Sequence, residues 1–211
     1  MPFGATQYTA ATQGSQLRIC REVATERDLF SCHGTFYELP AENADGFAKI
    51  RPIASHPYGI QDYASYRGML VMTGIDPEQL KKGSGEHLVV ADDGNAAVWI
   101  GGIDDLWKLG KPVGQGGPWN RTQVNAGVPS DAYLMAFYEK RSLRLLHDSE
   151  KDVTFTLQAD PTGQGMWIDY RRWKVSAGEN MDYVFPEAFQ ARWIRLVSDT
   201  DCRATARLTY E

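Results

Sequence analysis

The sequence predicts an all-β protein: antiparallel sheets arranged as propeller-like blades or a β-sandwich, with little helix. Three observations predict it. Two segments alternate strictly: Val153, Phe155, Leu157 and Ala159 against Thr154, Thr156 and Gln158, and Cys202, Ala204, Ala206, Leu208 and Tyr210 against Arg203, Thr205, Arg207 and Thr209. Strict alternation belongs to antiparallel strands with one packed and one wet face. Short β-rich runs recur every ~8 to 12 residues between turn residues. The chain is also 11% aromatic with 20 glycines, and its 43% hydrophobic and 23% charged residues mark a globular protein.

The 211 residues suffice for one domain or two small ones with a real core. Residues 1–15 read as a flexible arm, 16–110 as a first β subdomain, 111–132 as a Gly/Pro-rich connection and 133–211 as a second antiparallel β subdomain. In the first, Leu17–Val23 and Leu29–Leu39 form a candidate hairpin about Glu26, which would set Cys20 opposite Cys32 within disulfide range. The other reading of those cysteines is two packed free thiols. Asn43–Gly46 is a turn, and Phe47–Ile53 a strand with Pro52 at its edge. Asp76–Gly83 is the best helical fragment, with an N-cap Asp, Pro at the first position and Gly after the end. Asp92–Asn95 joins two β-rich runs as a tight turn. In the second subdomain the candidate strands begin near Leu134, Ser142, Val153, Trp167, Trp193 and Arg203.

Charge narrows the function classes. Lys plus Arg is 22 and Asp plus Glu is 27, a net charge of −5, so no positive surplus exists to displace counterions from a phosphate backbone. Nucleic acid is therefore not an expected partner. No run approaches the ~18 to 20 apolar residues of a membrane helix. The N-terminus lacks the basic and apolar regions of a secretory leader, so the chain is intracellular or starts after processing.

Four constellations can carry chemistry. His33 and Tyr37 share a strand face by period two, with Gly34 between them allowing close approach; such a pair can serve as base and acid, or as a hydrogen-bonded core pair. Arg51, His56, Asp62, Tyr63, Tyr66 and Arg67 crowd a short segment with forks for carboxylates and flat phenol faces, or with ordinary strand pairing. Asp92, Asp93, Asp104 and Asp105 offer hard oxygen ligands, with Ca²⁺ the one cofactor they suggest, although turn and cap chemistry explains them better. Trp107 and Trp119 lie on Gly-rich stretches with Arg121 nearby and can stack on a sugar ring, whereas Trp99 reads as core. No nucleophile elbow, phosphate-binding loop or zinc motif occurs.

The runs His33–Pro40, Tyr63–Val71 and Trp99–Pro112 together resemble the C-terminal part of secreted microbial β-propeller proteins active on glycans, of the L-rhamnose–glucuronate lyase type. The resemblance implies propeller blades, a secreted or periplasmic setting and a uronate-containing glycan. It implies His and Tyr for proton transfer and Arg for the uronate. A complete propeller needs far more chain, so it also implies part of a larger protein.

Two functions follow. In the first, a lyase, His33 or His56 is the base, Tyr37 or Tyr66 the acid, and Arg51 or Arg67 neutralises the carboxylate. In the second, a non-catalytic module binds glycan or protein through an aromatic platform around Trp107 and Trp119. A structural part of a larger enzyme is the third reading.

Overall fold

The computed structural model describes residues 18–22, 27–40, 46–56, 58–75 and 86–211, with side chains from Arg27 onward. The expected arm at 1–15 and helix at Asp76–Gly83 lie outside them. The chain divides into two compact units, meeting in sequence between Val113 and Gly114. Each is built from two four-stranded antiparallel sheets.

In the first unit, β1 (Arg18–Glu22), β2 (Arg27–Cys32), β3 (Thr35–Leu39) and β4 (Arg51–Ser55) follow one another across one sheet. The second sheet runs β5 (Asp62–Tyr66), β6 (Met69–Ile75), β8 (Ala97–Gly101), β7 (Leu88–Val90). Two-residue turns close the β2–β3 and β5–β6 hairpins. Their central residues, His33-Gly34 and Arg67-Gly68, all have positive φ, at 50°, 76°, 51° and 79°. That conformation matches the strand twist, and glycine in the second position makes it accessible. The two sheets share a core in which Leu29, Phe36, Tyr63, Leu70, Met72 and Trp99 are sealed. The back of the first sheet is covered too: Phe47, in the 3₁₀ turn Gly46–Lys49, sets its edge on Phe30 at 5.8 Å. Phe36 and Tyr37 are therefore both buried, and β3 does not alternate.

Two expectations change here. The β1–β2 pairing sets Cys20 opposite Leu29, not Cys32, so the expected bridge geometry is lost. Cys32 is a buried free thiol. His33 does not share a strand face with Tyr37, because it occupies the hairpin turn. A His-Gly pair between β-rich runs is itself a turn signal.

The second unit pairs the sheet β14 (Asn180–Val184), β11 (Arg141–His147), β16 (Cys202–Tyr210), β9 (Gly114–Val124) with the sheet β10 (Tyr133–Leu134), β15 (Trp193–Ser198), β12 (Val153–Asp160), β13 (Ile168–Val175). Except at the β12–β13 hairpin, successive strands alternate between the sheets. The sheets pack face to face: Phe155 of β12 meets Trp119 of β9 and His147 of β11, each at 6.0 Å between centroids. The predicted alternation of β12 and β16 is present, with the named apolar residues inward.

The stretch 111–132 is not chiefly a connection, since the eleven-residue strand β9 fills much of it. Its glycines and proline serve pairing. A side-chain carbon on Gly117 would lie 1.7 Å from the Ala206 carbonyl oxygen, and Pro118 falls where the β9–β16 register slips. A second slip accommodates Arg121 at φ 51°.

Candidate functional site

The residues expected to carry chemistry divide between core and surface. His56 directly follows β4 and is 3% exposed. Its N–H donates to Gly34 O at 3.0 Å, its Nδ1 accepts the Tyr58 N–H at 3.3 Å, and its Nε2 is buried without a hydrogen-bond partner. Phe36 packs against the ring at 5.1 Å. Burial lowers its pKa to about 4, so it is neutral at physiological pH. The polar atoms beside it are spent on one another. Ser55 Oγ lies 2.8 Å from Thr35 Oγ1, accepts the Val113 N–H at 3.0 Å and donates to Val113 O at 3.1 Å.

Tyr37 is fully buried on the back of its sheet, tilted against Phe30 at 6.2 Å. Tyr63 is 2% exposed; its hydroxyl donates to Leu29 O at 3.0 Å and accepts the Ser31 N–H at 3.1 Å, tying β5 to β2. Tyr66 and Arg67 stand at the β5–β6 turn in solvent, with the guanidinium 5.3 Å from the ring. Arg51 and Asp62 are exposed at strand starts, and Asp62 accepts the N–H of Tyr63. Trp107 is half-exposed beneath Arg27 at 5.4 Å, and Arg27 is paired with Asp104 at 3.0 Å. Trp119 is buried in the second unit, where Arg121 sits in a bulge with its N–H on Thr205 Oγ1 at 2.9 Å.

The structure thus brings His33 and His56 to one end of the first sheet but leaves Tyr37 behind that sheet and puts Tyr66 and Arg67 at the β5–β6 turn of the other sheet. Of the four acids, Asp104 is held by Arg27, and Asp93 and Asp105 are engaged locally. Asp93 accepts the Asn95 N–H at 3.0 Å, and Asp105 takes the Gly102 N–H at 2.9 Å and Lys108 at 2.7 Å. Among the described residues no three His, Cys, Asp or Glu side chains are grouped to hold a metal.

A different cluster forms in the second unit. Leu157 pairs with Arg171 while Gln158 pairs with Asp169, so Tyr170 is an extra residue in β13. The bulge places Arg171 and Trp173 on the face of Leu157 and Phe155, turned toward the other sheet. From that sheet Tyr183 of β14, paired with Leu143, faces the same way inward. Both strands are sheet edges, so these side chains meet at the open side of the sandwich. A closed ring of aromatics results. Trp173 to Tyr183 is 4.9 Å, Tyr183 to Phe185 5.0 Å, Phe185 to Phe189 4.9 Å and Phe189 to Tyr170 4.6 Å, with the Tyr170 and Tyr183 hydroxyls 3.2 Å apart.

Two guanidinium groups flank this ring. Arg171 is exposed, 4.8 Å from the Tyr183 centroid and 5.9 Å from that of Trp173, and donates to Tyr183 Oη at 3.4 Å. Arg141 is 5% exposed, lies 5.8 Å from Phe189, and donates to Met135 O at 3.3 Å and Phe189 O at 3.1 Å. Among the described residues neither has a carboxylate partner. Their neighbours do: Arg172 holds Asp169 at 2.8 Å and Arg144 holds Asp182 at 2.6 Å. Sequence reasoning missed this cluster. Its signal was the density of Trp167–Trp173, two Trp, one Tyr and two Arg in a segment that does not alternate beside one that does.

No protein family and no curated protein matches the sequence. A solved structure, described as "Crystal structure of PirA", is similar to this chain at 18% identity over 47% of it and 84% of the other, with a TM-score of 0.25. A likeness of that size carries no argument about the site.

Proposed function

We propose that the protein is a non-catalytic glycan-binding module whose aromatic edge takes a uronate-containing glycan. The observation that carries this reading is an exposed guanidinium with no carboxylate partner, set among Tyr170, Trp173 and Tyr183. A uronate needs three kinds of contact, and each is present in kind. Trp173 and Tyr183 supply apolar ring faces. The two phenol hydroxyls hydrogen-bond sugar hydroxyls. Arg171 supplies the bidentate fork for the carboxylate, and the uncompensated charge of Arg141 adds positive potential.

Binding without elimination is the better reading because one expected base, His56, and one expected acid, Tyr37, are sealed from solvent, while the other candidates, His33 and Tyr66, stand at the turns of two different hairpins, β2–β3 and β5–β6. Titration calorimetry with a glucuronate-containing oligosaccharide tests it. Binding that falls at least about tenfold in Trp173→Ala supports it, since an aromatic contact and its area are worth ~1.5 kcal/mol or more. Unsaturated product absorbing in the ultraviolet, or binding unchanged in that variant, overturns it.

A further inference from the structure

Resting on that reading, we propose that Arg171 is the specificity gate of the aromatic edge, covering the ring faces against neutral sugars and uncovering them for acidic ones. The guanidinium occupies the surface a sugar would use. It lies over Tyr183 at 4.8 Å and within 5.9 Å of Trp173, with one N–H on the Tyr183 hydroxyl. A planar, weakly hydrated guanidinium is held by such faces. The arginines nearest in the fold are anchored to acids, Arg172 on the same strand to Asp169 and Arg144 of β11 to Asp182 of the edge strand β14. Arg171 alone among them is held only by aromatic side chains, so its movement breaks no ion pair.

The two ligand classes then meet different obstacles. A neutral sugar must displace Arg171 from the rings and offers the cation nothing comparable in return. An acidic sugar draws the same side chain into a charge-assisted pair, so the step that opens the platform also fixes the ligand. Specificity arises from an obstacle to the wrong ligand as well as a contact with the right one.

The experiment compares the whole chain with Arg171→Ala and Arg171→Lys, by calorimetry with a glucuronate-containing oligosaccharide and with a neutral β-glucan oligosaccharide. Arg171 is exposed, and matching thermal melts confirm that the variants fold. The expected result is that Arg171→Ala loses at least about tenfold in affinity for the acidic ligand and gains measurable affinity for the neutral one. Arg171→Lys, which keeps the charge without the planar cover, retains part of the acidic affinity and also admits the neutral ligand. If the wild type prefers the acidic ligand and Arg171→Ala loses it without gaining the neutral one, the gate is overturned and the binding reading stands. If the wild type binds neither and Arg171→Ala binds the neutral ligand, the gate stands and the uronate does not. If no protein binds either, both fall.

Discussion

His56 accepts the Tyr58 N–H on Nδ1, which leaves the proton of its neutral ring on an Nε2 buried without a partner. The folded ring therefore has no place for a second proton. As pH falls, the unfolded chain protonates this histidine near the ordinary value of about 6.5, while burial holds the folded ring neutral until about 4. Stability is whole above the first value and drains away between the two, a loss of roughly 3 kcal/mol. Urea melts of the first unit's transition at pH 7 and pH 4.5 should differ by most of that amount. His56→Phe should shrink the difference; an equal difference in the variant would show that other groups set the acid response.

The Tyr63 hydroxyl is both donor and acceptor to β2, so its role is to join the two sheets of the first unit. Tyr63→Phe leaves the ring in the core and strips a carbonyl and an N–H of their partner. The expected cost is about 1 to 3 kcal/mol, with affinity for the acidic oligosaccharide unchanged. A fall in affinity with stability intact would restore Tyr63 as a ligand-binding residue.

The strands were far more legible than the site. Alternation at Val153–Ala159 and Cys202–Tyr210 is a local consequence of one wet face, so it marks the sandwich strands directly. Register is not local. A register three residues from the expected one sets Cys20 opposite Leu29 and not Cys32. His33 and Tyr37 satisfied period two, but the period fails where the chain turns through positive φ at His33 and Gly34. The aromatic ring was illegible for a related reason. Its members come from β13, β14 and the segment around Phe189, and one bulge at Tyr170 reverses which faces Arg171 and Trp173 take. Residue density in His56–Arg67 suggested a cluster, whereas the structure spends that segment on core contacts and a solvent-facing turn.

Asp160 shows a buried carboxylate whose work is structural. It is 1% exposed, and its oxygens accept the N–H groups of Thr162, Gly163 and Gly165 and the Thr162 hydroxyl, at 2.7 to 3.1 Å. Burial pushes its pKa up, but these donors outweigh it and hold the group below the usual carboxylate range. A depressed carboxylate adds stability above its ordinary pKa and loses it as pH falls through the lowered one. Asp160→Ala leaves the loop donors to water and should cost about 2 to 4 kcal/mol in chemical melts at pH 7. Because the loop leads directly into Trp167 and β13, the variant should also weaken glycan binding. Unchanged stability would show that the loop holds its shape without the carboxylate.

Tryptophan fluorescence separates the two places where a sugar was expected to stack. Trp119 is 5% exposed and packed on Phe155, so a ligand has no access to its face. Trp173 is half-buried at the open edge, beside Tyr183 and Arg171. A bound uronate that engages Arg171 changes both the charge and the packing next to the Trp173 indole, and so its emission. Titration of the wild type with the acidic oligosaccharide should give a saturable change. Trp173→Phe should remove most of that change, while Trp119→Phe should leave it and lower the melting temperature, because a smaller ring opens a cavity against Phe155. A response abolished by Trp119→Phe and kept by Trp173→Phe would move the binding surface away from the β13–β14 edge.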